Sequence, residues 1–82
     1  MRCIIKFRWD EEEAVWIATS DDVPGLVLES GSFDALLERV KQAVPELLKL
    51  NQNATSDFML SYYTEREDRV PMYGRLREES EG

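Results

Sequence analysis

Carboxylates are the main residues of this chain equipped to act on a substrate, because it contains no histidine. That absence removes the commonest general base, the commonest metal ligand and any Ser-His or Cys-His nucleophile pair. Cys3 is the single cysteine. It can form no intramolecular disulfide, and without histidine it cannot anchor a zinc site. Its place at the start of an apolar strand reads as a small buried hydrophobe. The acids cluster at Asp10-Glu11-Glu12-Glu13 and Asp21-Asp22, and with Glu29 or Asp57 they could form a divalent-metal cluster. Acidic residues in a hairpin connection ordinarily shape the turn instead. The four scattered glycines form no phosphate-cradling loop. No catalytic residue, cofactor or metal is therefore expected. Tryptophan carries the other available chemistry, that of recognition. Of Trp9 and Trp16, one is expected in the core and the other as an interface anchor. The expected partner contacts are Trp16, Asp21, Asp22 and Tyr73.

The elements that must position these residues follow from hydrophobic period. Cys3, Ile5, Phe7 and Trp9 alternate with Arg2, Lys6 and Arg8, which predicts a half-buried strand over 2–9. The acidic run breaks the alternation, and β-rich Val15, Trp16 and Ile17 resume it over 14–19, predicting a hairpin. A shorter strand is expected over 25–28, after Pro24-Gly25. Ser32 is placed to cap a helix, with Asp34 favouring the positive end of its dipole. Leu36, Leu37, Val40, Val44, Leu47 and Leu48 then make one apolar stripe. Pro45 interrupts that stripe and predicts either a kink near Val44 or a second short helix starting there. Asn51 or Asn53 is a candidate helix stop. A fourth strand is expected over 57–64, with Phe58, Leu60 and Tyr62 on one face and Met59, Ser61 and Tyr63 on the other. The remaining 65–82 reads as a charged tail, with a short edge strand over 69–73 and disorder from Arg77.

These elements make one α+β domain over 1–64, ordered β-β-β-α-β, with a small antiparallel or mixed sheet and one helix on one face. Eighty-two residues leave room for no second domain, and 43% hydrophobic content suffices for a globular fold. The formal charge of −7 disfavours direct nucleic-acid binding and suits a basic partner. Neither a secretory leader nor a membrane-spanning run is present, so a cytoplasmic protein is expected. A single helix covers one face of a four-stranded sheet. The other face is left with Ile4 or its neighbours, one of the Trp residues, and Met59 or Tyr63. Exposed apolar area of this kind marks an interface, and an unprotected edge strand offers another. A homodimer or higher homo-oligomer is expected.

Several of these stretches together resemble the HicB antitoxin family, and are closest to its short stand-alone relatives. They are the strand Val15-Trp16-Ile17-Ala18-Thr19-Ser20, the turn Val23-Pro24-Gly25-Leu26, the Gly31-Ser32 junction and the helix end Val44-Pro45-Glu46-Leu47-Leu48. The resemblance implies a partial ribonuclease-H-like sheet without nuclease activity. It also implies a small basic, mRNA-cleaving toxin as partner, neutralised by protein–protein contact. Many members carry a C-terminal DNA-binding segment. Here 18 residues follow Thr64, with four Arg against six acids, so direct DNA binding is not expected. Two other readings compete with the antitoxin one. The first is an orphan homo-oligomeric module that binds another protein or a small ligand. The second is a metal-dependent nuclease built on strand-end carboxylates, which the placement of the acids in turns argues against.

Overall fold

A computed structural model describes residues 2–52 and 57–72. Four strands and one helix follow in the order β1 (Arg2–Asp10), β2 (Val15–Thr19), β3 (Val27–Ser30), α1 (Phe33–Gln52) and β4 (Met59–Glu65). The sheet order is β3-β2-β1-β4. The pairs β1–β2 and β2–β3 are antiparallel, whereas β1 and β4 run parallel. The sheet is therefore mixed, and the helix provides the long crossover a parallel neighbour requires.

The β1–β2 connection is built by its own acids. Asp10 pairs with Val15 in the ladder, and the Asp10 carboxylate accepts the amides of Glu12 at 3.1 Å and Glu13 at 3.4 Å. Ala14 closes the turn in the left-handed region, at φ 56°. The second connection differs from expectation. The strand expected over 25–28 begins at Val27, because Val23 to Leu26 form a tight turn in which the Leu26 amide donates to the Val23 carbonyl at 3.2 Å. Pro24 precedes Gly25 at φ 87°, the positions a type II turn assigns to these two residues.

At the helix start, the Ser32 hydroxyl accepts the Ala35 amide at 3.2 Å, so Ser32 is the N-cap. The helix then runs unbroken through Pro45. A second helix starting at Val44 does not form. Val44 and Leu48 are both fully buried on either side of Pro45, and the exposed proline leaves the missing bond to Lys41 on the wet side. The candidate stop Asn53 lies outside the described residues.

The core lies between α1 and one sheet face. Cys3, Ile5 and Phe7 of β1 meet Ala18 of β2, Val23 and Leu26 of the turn, and Leu36, Val40, Val44 and Leu48 of the helix. Spacing of four along α1 is one packing ridge. Each large apolar side chain buried here contributes about 1.5–3 kcal/mol. The helix packs over β2 and β3, leaving Tyr62 of β4 37% exposed on the same face. The opposite face carries Ile4, Val27, Met59 and Tyr63, all exposed. No tryptophan is among them, contrary to expectation. Trp9 and Trp16 are a directly opposed pair in the ladder, so both lie on the helix side. Residues 69–72 form no strand. Tyr73 and the tail from Arg77 lie outside the described residues.

Candidate partner-binding site

Counting back from the Glu11–Ala14 turn brings Trp9 and Trp16 opposite one another at the rim of the sheet, past the N-terminal end of α1. Their rings meet edge-on at 5.4 Å. Phe33, held at the first helical position by the Ser32 cap, packs against Trp16 at 5.0 Å and against Phe7 at 4.9 Å. Phe7 also touches Tyr62 at 5.7 Å. The aromatic row thus runs from the core to the rim, and its outer end is half-buried at both tryptophans.

Arg66, the first residue after β4, closes this end. Its guanidinium carbon stands 4.1 Å above the centre of the Trp9 ring and 5.7 Å from that of Trp16. Its Nε donates to the Asp68 carboxylate at 3.3 Å. Arg8, Trp9, Glu11, Glu65, Arg66 and Glu67 enclose a cleft of about 270 Å³. A π face with carboxylates around it is a receptor for a guanidinium or ammonium group.

The expected contacts do not converge. Trp16 lies in this aromatic row. Asp21 and Asp22 follow the other end of β2, roughly 17 Å away along the strand at ~3.3 Å per residue. Asp22 has a structural task there: its carboxylate accepts the Ile4 amide at 2.8 Å, while the Ser20 hydroxyl donates to the Ile4 carbonyl at 2.6 Å and accepts the Asp22 amide at 3.0 Å. These side chains continue the β1–β2 ladder past its last backbone pair, Lys6 with Thr19. Asp21 is exposed beside them. Tyr73 lies outside the described residues. Arg66, Glu65 and Glu67 were missed from the sequence, Glu11 was read only as part of an acidic turn, and Trp9 was weighed with Trp16 as core residue or interface anchor. The legible signal was a four-residue turn setting two tryptophans at equal distances from its ends.

Among the described residues, no three His, Cys, Asp or Glu side chains come close enough to hold a metal ion. No helix among them is long and apolar enough to cross a membrane. Burial pushes the Cys3 thiol above its ordinary value of 9.0, and the Asp22 carboxylate adds to that rise.

No curated protein matches the chain. The crystal structure of a hypothetical protein from the extremely thermophilic bacterium Thermus thermophilus is similar to it, with 35% sequence identity and a TM-score of 0.73. The match covers 85% of this chain and all of that one. A family described as a domain of unknown function, DUF1902, matches residues 2–74, which takes in every strand and the helix. The chain belongs to the DUF1902 family.

Proposed function

We propose that this protein is a HicB-like antitoxin module, a non-enzymatic protein that neutralises a small basic, mRNA-cleaving toxin by direct contact. One observation carries the reading: the acidic aromatic cleft already holds a guanidinium, that of Arg66, 4.1 Å over Trp9. An arginine or lysine from a basic partner has the same chemistry and would compete for the same ring. The net charge of −7 supports attraction of such a partner, through on-rate more than through final affinity. On this reading the protein works in the cytoplasm, where messenger RNA is cut. The alternative is a homo-oligomeric module with no toxin, and it draws support from the exposed apolar residues Met59 and Tyr63 on β4.

The test is purification of the tagged chain from its native host, with mass spectrometry and light scattering. It is repeated with the charge-reversed double variant Glu65→Lys/Glu67→Lys. A small basic protein recovered in stoichiometric amount, and lost from the variant, supports the antitoxin reading. Recovery of a homo-oligomer alone rejects it in favour of the alternative.

A further inference from the structure

The two edges of the sheet are treated differently. The Ile4 amide points to the β2 side, where it meets Asp22. By strand alternation Cys3, Ile5 and Phe7 therefore turn their backbone groups toward β4. Across β2 the same alternation turns Glu29 of β3 outward. That outward carbonyl is capped: Arg39 Nη1 donates to it at 2.9 Å. The β3 edge is also only four residues long. At the other edge, Ile5 pairs with Tyr62, so Ser61 and Tyr63 bond inward while Leu60, Tyr62 and Thr64 present amides and carbonyls outward. This edge is seven residues long, and α1 packs over β2 and β3 on the far side of the sheet from it. Met59 and Tyr63 are 63% and 60% exposed along it.

Charge selects what can pair there. From Phe58 to Thr64 there is no charged side chain, in a chain that is one-third charged. Two copies at −7 each repel over most of their surfaces, and this strand is where they can approach without that cost. A basic partner gains nothing from it. Of the usual protections of an edge, the strand holds no proline, and its one charge is Glu65 at its last position.

We propose that two copies of this chain join β4 to β4 in antiparallel register about Ser61, making one continuous eight-stranded sheet. In that register Leu60 of one copy stands opposite Tyr62 of the other, and Met59 opposite Tyr63, each pair occurring twice about the two-fold axis. Ser61 faces its own equivalent as a non-hydrogen-bonded pair, whose Cα atoms lie about 4.5 Å apart. Two Asp57–Glu65 contacts close the ends, where water and salt screen them. This inference is independent of any toxin.

The experiment is sedimentation of the full chain over a dilution series, together with oxidation of Ser61→Cys by oxidised glutathione. The close pair at the axis meets disulfide geometry, and the buried Cys3 stays out of the reaction. The expected result is a species of twice the chain mass. The Ser61→Cys variant should cross-link into a covalent dimer, and the β3 control Glu29→Cys should not. Met59→Lys, which places a cation on the open edge while leaving the core untouched, should raise the dissociation constant at least about tenfold. A wild-type monomer at about 100 µM, or a dimer cross-linked through Glu29→Cys and not through Ser61→Cys, overturns the proposal. An unchanged dissociation constant for Met59→Lys with a normal circular dichroism spectrum does the same.

Discussion

The clamp on Ile4 gives the sharpest test of how this sheet is held together. Asp22→Ala removes the acceptor that the Ile4 amide reaches at 2.8 Å. A hydrogen bond to a charged group contributes about 1.5–3 kcal/mol. Asp22 is exposed, so water takes up part of that loss, and the expected cost is about 1 kcal/mol. In a domain this small that lowers the melting midpoint by about 4–8 °C. Asp22→Asn keeps one amide oxygen as acceptor and should recover about half of the loss. Ser20→Ala removes the donor to the Ile4 carbonyl and the acceptor for the Asp22 amide together, and should cost about as much on its own. Both side chains brace one backbone residue, so the double variant should fall short of the sum by about 0.5 kcal/mol or more. Urea unfolding at fixed protein concentration reads all four stabilities. A wild-type midpoint for Asp22→Ala, or full additivity in the double variant, would refute the clamp.

Three other expectations rest on separate features. Ala14→Gly relieves a left-handed alanine, a conformation that costs about 1–2 kcal/mol without glycine. After the added chain entropy of glycine it should gain about 0.5–1 kcal/mol in urea unfolding, and a destabilised variant would show that the turn is not strained. Arg66→Ala uncovers the Trp9 ring, so acrylamide should quench tryptophan emission more strongly while the unfolding midpoint stays within about 0.5 kcal/mol. Unchanged quenching would mean that Arg66 is not seated in solution. The Cys3 thiol titrates above 9.0 in the folded chain. The fold therefore disfavours the thiolate: stability is intact below the unfolded thiol value and is lost as pH rises past it. Between about pH 8 and pH 10 the wild type should lose more stability than Cys3→Ala, and equal losses would show that Cys3 is not the group responsible.

Period carried much of the fold. The alternation of Cys3, Ile5 and Phe7 named the buried face of β1, and the stripe from Leu36 to Leu48 named that of α1. Ser32 revealed the cap because its hydroxyl acts within one turn. Neighbour relations were less legible. An alternating strand declares its faces and not which strand lies beside it, so the parallel pairing of β1 with β4 could not be read. The same limit misplaced the tryptophans, whose shared face depends on a cross-strand register. Pro45 left a kink or a second helix open, and the second helix does not form: one helix continues across it, with buried Val44 and Leu48 on either side. At the candidate site Trp16 stood out by residue type. Arg66 did not, because it sits in a run of charges and acquires its role only where β4 delivers it to Trp9.

The parallel neighbour of β1 has a consequence for the order in which the chain acquires its structure. β1 begins at Arg2, and the strand that completes it ends at Glu65. The hairpin with β2 involves only nearby residues and can close on the microsecond scale. The β4 side cannot close until most of the chain has been made. At about 5–20 residues per second, translation leaves that side of a nascent hairpin unpaired for roughly 2–9 s. Throughout that interval the outward backbone groups of Cys3, Ile5 and Phe7 are a template for any extended strand nearby, including one from a neighbouring nascent chain. The docking of β4 is a late, long-range step that a slow-folding variant would expose first.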